Sequence, residues 1–130
     1  MRSGRLALSV EDAAATSFSA GFELRGRPEA GELTLYTPLG GVAAQLRWQP
    51  GQALLQAPGQ APRRYASLQA MVEDATGAPL PVAALFDWLE GRATPVPGWE
   101  PDLSALESGR LRARRTAPPP PAELRLVLER

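Results

Sequence analysis

Adjacent carboxylates, Glu11-Asp12 and Glu73-Asp74, are the side chains of this sequence best placed to move protons. They are poorly arranged for it. Neighbours on a strand point to opposite faces, so a pair in sequence is not a pair in space, and both pairs read as loop or helix-end charge. Histidine and cysteine are absent, which removes the commonest general base, the commonest metal ligand and the thiol nucleophile together. No glycine-rich phosphate loop or metal-spaced acidic cluster replaces them. The residues therefore nominate no catalytic group, no metal and no cofactor. The three Trp, two Tyr and three Phe fall inside the apolar pattern. A sheet that binds RNA instead carries exposed aromatics among basic residues, so nucleic acid is not an expected partner.

What remains is apolar chemistry. Thr37-Pro38-Leu39-Gly40-Gly41 separates two alternating runs, Glu32 to Tyr36 and Val42 to Gln49. Proline presets φ and glycine permits left-handed angles, so the segment reads as a turn with a mechanism. The turn has no need of a leucine, yet Leu39 stands at its tip. A single exposed leucine is ordinary on a protein surface. On pattern alone that ordinary reading is the one to take, although the leucine is the sharpest oddity of the loop.

The flanking elements read mainly as strands. Leu6, Leu8 and Val10 alternate with smaller residues, as do Phe18, Ala20, Phe22 and Leu24, then Leu33 and Leu35, then Val42, Ala44, Leu46 and Trp48. Ala53 to Ala57 and Arg63 to Ala66 add two shorter runs. Strands at this spacing joined by Gly/Pro turns predict an antiparallel meander, with Leu6, Leu8, Phe18, Phe22, Leu33, Leu35, Leu46 and Trp48 on one apolar face. The period then lengthens. Ser67 is a plausible N-cap before Leu68, Met71, Val72 and Ala75, with Gly77 as terminator. Pro81 opens a second helix with Val82, Leu85, Phe86 and Leu89 on one side and Gly91 at its end. Both helices are too short to stand alone and must lean on the sheet. Pro95, Pro97 and Pro101 suppress any long element from Arg92 to Leu106. Leu111, Ala113 and Arg115, then Leu124, Leu126 and Leu128, predict two closing strands joined by the Pro118–Pro121 run, with Val127 on the opposite face of the last.

The chain of 130 residues is expected to be one domain with two helices inserted between the sixth strand and the closing strands. Its fold class is mainly β (α+β): a strongly curved antiparallel sheet. The wide apolar face reads as an ordinary core or, if the curve outruns its two helices, as the wall of a cavity for acyl chains. Formal net charge is zero, and all 14 basic residues are arginine. Seven carboxylates oppose Arg92 between Glu73 and Glu107, and six arginines oppose Glu123 and Glu129 from Ser108 on. A solvated face explains that asymmetry, and so does a charged partner or headgroup surface. No apolar run reaches the length of a membrane helix. Met1–Arg5 lacks the apolar core and cleavage site of a signal peptide, which fits a cytoplasmic protein, a sequence that starts after its processing signals, or one that has been cut.

Several motifs together resemble one family. Gly4-Arg5-Leu6-Ala7, Leu33-x-Leu35-x-x-Pro38-Leu39-Gly40 and Tyr65-Ala66 are similar to the outer-membrane lipoprotein receptors of the LolB family. So is Gly77-x-Pro79-Leu80-Pro81-x-x-x-Leu85-x-x-Trp88-Leu89-x-Gly91, and the likeness runs in order from residue 4 to 130. The resemblance implies an unclosed antiparallel β-barrel whose helices cover a hydrophobic cavity, in a monomer at the periplasmic face of the outer membrane. It implies a partner, the LolA-like carrier, from which lipoprotein acyl chains pass to the inner leaflet of the outer membrane. Carried onto these residues, Pro38, Leu39 and Gly40 form the membrane-insertion loop. Leu6, Leu8, Phe18, Phe22, Leu33, Leu35, Leu46, Trp48, Leu85, Phe86 and Leu89 are the candidate acyl-chain wall. The family's N-terminal helix, signal and lipidated cysteine are expected to be missing from the single domain 1–130. The alternatives are a soluble carrier of LolA type, against which the apolar loop tip argues, and a non-catalytic structural or interaction domain with a filled core.

Overall fold

The computed structural model describes residues 2–11, 17–76, 80–117 and 121–129. Asp12, Gly77, Pro79 and residues 118–120, used in the sequence reading, lie outside them. Alternation produces the sheet directly. Strands β1 (Arg2–Val10), β2 (Ser17–Arg27), β3 (Ala30–Tyr36), β4 (Val42–Gln49), β5 (Gln52–Gln56) and β6 (Arg63–Tyr65) form an antiparallel meander. Helices α1 (Leu68–Thr76) and α2 (Val82–Leu89) follow, then β7 (Trp99–Asp102), a short 3-10 turn at Leu106–Ser108, β8 (Arg110–Arg115) and β9 (Ala122–Leu128). The last strand returns to pair with β1, giving one sheet in the order β6-β5-β4-β3-β2-β1-β9-β8-β7. The strands at the two ends, β6 and β7, are not paired to each other, so the barrel is unclosed.

The inner face carries Leu6, Leu8, Phe22, Leu33, Leu35, Leu46, Leu124 and Leu126, all buried, and the helices lie over it. Ser67 caps α1 as expected: its Oγ accepts from the Ala70 N–H at 3.1 Å. The end of α1 is tied to the β6 edge because Tyr65 donates its hydroxyl proton to Asp74, which also faces Arg63 at 3.4 Å. Close approach dictates Gly4, where a Cβ would lie 2.0 Å from the Val127 carbonyl oxygen across the β1–β9 pair.

Three features depart from the sequence pattern. Val42 does not face inward with Ala44, Leu46 and Trp48. The register shifts between Leu35 and Tyr36, so Leu35 opposes Ala44 while Tyr36 opposes Val42, and Ala43 is the extra residue of a bulge. A bulge breaks the period of two, and Val42 stands 41% exposed. Second, Trp99–Asp102 is a strand despite Pro101; it is an edge strand, where a missing N–H donor is tolerated. Third, Thr34 is buried although it alternates with inward leucines. It lies in mid-sheet between Glu23 and Gln45, whose longer side chains flank it.

Candidate functional site

The 37–41 loop is held open by its own backbone. Thr37 N–H donates to the Gly41 carbonyl at 2.8 Å, and Gly40 N–H donates to the Thr37 carbonyl at 2.9 Å. Thr37 Oγ1 accepts from Gly41 N–H at 3.2 Å. Gly40 adopts φ 90°, which lets the chain reverse beyond Leu39. With the polar groups spent inside the loop, the leucine has nothing to pack on and is 100% exposed. The stem is anchored too. Tyr36 donates its hydroxyl proton to Glu23, and Arg25 approaches the same carboxylate at 3.1 Å. The bond to Tyr36, then the one to Arg25, holds the Glu23 carboxyl below the usual glutamate range, and the same bond to Glu23 pushes the Tyr36 hydroxyl up.

At the foot of the loop a groove of about 480 Å³ opens on the outer sheet face. Arg5, Gly21, Tyr36 and Glu129 line it, with Pro38 and Gly40 as its rim. Gly21 has no side chain to fill the floor. No sequence pattern announced this groove, because its walls come from β1, β2, β3 and the end of β9.

Beneath the helices, the candidate acyl-chain residues come together in one cluster. Leu6, Leu8, Phe22, Leu33, Leu35, Leu46, Trp48, Leu85 and Leu89 are buried, while Phe18 and Phe86 are half-buried at its margin. Trp48 meets Phe86 at this margin and turns its indole N–H to the Pro28 carbonyl at 2.9 Å. Sequence periodicity missed Trp88 as part of the inward stripe, yet it is the largest fully buried side chain. Its indole N–H donates to the Thr94 carbonyl at 2.9 Å. Leu46, Met71, Val72, Leu80, Trp88 and Leu124 are 0% exposed, so no water-sized space opens against them.

A charged clasp closes the C-terminal end of α2. Arg92 lies 2.8 Å from both Asp87 and Glu90, and Thr94 donates its hydroxyl proton to Asp87 at 2.8 Å. The Arg92 guanidinium, then the Thr94 hydroxyl, holds the Asp87 carboxyl below the usual aspartate range. Among the described residues no group of acidic side chains is arranged to hold a metal ion, and no helix is long and apolar enough to cross a membrane. Glu11 and Glu73 of the carboxylate pairs are exposed.

Together these features define a class: a helix-covered half-barrel with an apolar interior and one leucine projecting from a hydrogen-bonded loop beside its outer face. Residues 1–117 match the family described as outer membrane lipoprotein LolB. The chain belongs to that family. It is 40% identical over 86 residues to the outer-membrane lipoprotein LolB of Ralstonia nicotianae, covering 66% of this chain and 41% of the relative. It is 44% identical over 62 residues to that of Cupriavidus necator (48% and 32%). Against the Bordetella pertussis protein it is 36% identical over 93 residues (70% and 47%). The chain thus spans less than half the length of the curated relatives it matches.

Proposed function

We propose that this chain is the acyl-binding domain of an outer-membrane lipoprotein receptor. It accepts lipoproteins from a LolA-like periplasmic carrier and releases them into the inner leaflet of the outer membrane. The observation that carries this reading is Leu39, wholly exposed on a loop whose own hydrogen bonds hold it away from the core.

The energetics favour such a relay. Exposing acyl chains to water costs about 0.8 kcal/mol per CH₂, so a lipoprotein travels only between apolar sites. Handover needs no ATP if each site along the way binds the chains more favourably than the last. In this chain the receiving site is the inner face of the sheet. Its residues are closely covered, so acyl chains enter by displacing α2, whose Leu85 and Leu89 then line the guest instead of the sheet. The short helix makes that displacement affordable, because it has little stability of its own.

The test is Leu39→Glu. The variant is expected to fold and to take up a lipoprotein from the carrier, yet to fail in delivering it to liposomes. Undiminished delivery would remove Leu39 from the mechanism. Failure to bind a fluorescent fatty acid at all, in the unaltered chain, would instead favour a domain with a permanently filled core.

A further inference from the structure

Among the described residues three large apolar side chains stand exposed: Leu39, Val42 and Val127. Leu39 and Val42 come from one hairpin and Val127 from the far end of the sequence, yet the sheet register puts them on one line. Across the outer face, Arg110 opposes Val127, Val127 opposes Arg5, Arg5 opposes Gly21, Gly21 opposes Tyr36, and Tyr36 opposes Val42. Leu39 projects from the loop that joins the last two strands. Neighbouring strands lie roughly 4.8 Å apart, so the row reaches about 24 Å from Val42 to Arg110.

The row's charge is of one sign. Arg5 and Arg110 are exposed, and neither guanidinium has an ion pair or hydrogen bond among the described residues. The carboxylates nearby are mostly engaged elsewhere: Glu23 by Tyr36 and Arg25, Glu123 by Arg125 and Arg112. Glu129 is an opposing charge in the groove beside Arg5. Unpaired guanidinium groups alternating with exposed valines suit a surface that is anionic outside and apolar just beneath. Phospholipid has that layering: phosphates that accept from arginine above the ends of the acyl chains.

We propose that this row is a second membrane contact. Arg5 and Arg110 take lipid phosphates and Val127 and Val42 rest at headgroup depth. The outer face of β4-β3-β2-β1-β9-β8 thus lies on the bilayer behind the inserted loop. The inference rests on the reading of Leu39 given above, and it adds an orientation. One inserted side chain is a pivot; a row extending from it fixes the tilt of the barrel.

The chain has no cysteine, so single labels can be placed without altering anything else. An environment-sensitive fluorophore on Val127→Cys, on Gly41→Cys beside the loop tip, and on Glu73→Cys over α1 would be read on vesicles of phosphatidylethanolamine with phosphatidylglycerol. Labels at 127 and 41 are expected to shift to the blue and the label at 73 to stay in water. Arg5→Glu with Arg110→Glu is expected to weaken vesicle partitioning roughly tenfold at low salt with an unchanged unfolding midpoint. If the label at 41 enters lipid while that at 127 stays in water, the row is overturned and the Leu39 reading stands. If neither shifts, both fall. A shift at 127 that grows with protein concentration in the absence of vesicles would mark self-association, and would also overturn the row.

Discussion

Trp48 and Phe86 meet edge-on, with ring centroids 6.1 Å apart and planes inclined at 75°. This contact joins β4 to α2 at the margin of the covered face, with Trp48 fixed from behind by its bond to Pro28. An edge-on aromatic pair adds about 0.5–1.5 kcal/mol beyond the area it buries. Phe86→Ala is therefore expected to cost about 1–3 kcal/mol in urea unfolding, and to speed the uptake of a fluorescent fatty acid seen by stopped flow. Slower uptake would mean that guests do not enter past α2.

Trp88 has the opposite character. It is fully buried with its N–H satisfied, so Trp88→Ala should cost about 3–5 kcal/mol. The circular dichroism of the purified variant should report loss of the native sheet near physiological temperature.

The clasp on α2 makes an acid-sensitive prediction. Asp87 is held below its ordinary range by Arg92 and then Thr94. Its ionised form is therefore favoured by folding, and the stabilisation is complete above the unfolded value, about 3.9. It is lost as pH falls through the lower folded value. Urea midpoints of the unaltered chain and Asp87→Asn should differ at pH 6, and the gap should close below about pH 4. A gap that persists undiminished at the lowest pH would assign the effect to packing.

Two glycines with similar φ angles should respond differently. Gly40 (φ +90°) has no neighbour within 4 Å of a built Cβ, whereas at Gly98 (φ +84°) that carbon would lie 1.7 Å from the Ala117 carbonyl oxygen. Gly40→Ala then meets only the left-handed penalty, about 1–2 kcal/mol. Gly98→Ala must also break the path by which Thr116 N–H reaches the Gly98 carbonyl at 2.8 Å, and is expected to lower the unfolding midpoint more. Equal losses would count against this account.

Much of this architecture was legible in the chain because its signals are local. The alternation of Leu6, Leu8 and Val10, or of Leu124, Leu126 and Leu128, needs only the period of a strand, and the two helices announce themselves by spacing and terminators. The unclosed barrel then follows from β9 returning to β1. What local pattern could not supply is set by partners far along the chain. The turn at Val42 depends on how Tyr36 finds its register. Trp99–Asp102 was hidden because Pro101 suppresses a strand signal that the edge of a sheet does not require. Leu39 was conspicuous as a residue type, but its full exposure depends on the loop bonds around Thr37. The row through Arg5 and Val127 exists only once six strands are aligned.

An open barrel has two raw rims, and each invites a stranger's backbone to stack on it. Here one rim, β6, is three residues long and fastened to α1 through Asp74. The other, β7, has a proline in place of one of its four potential donors. Such a molecule can leave its sheet open without offering a long free edge on which a neighbouring backbone could build a fibre.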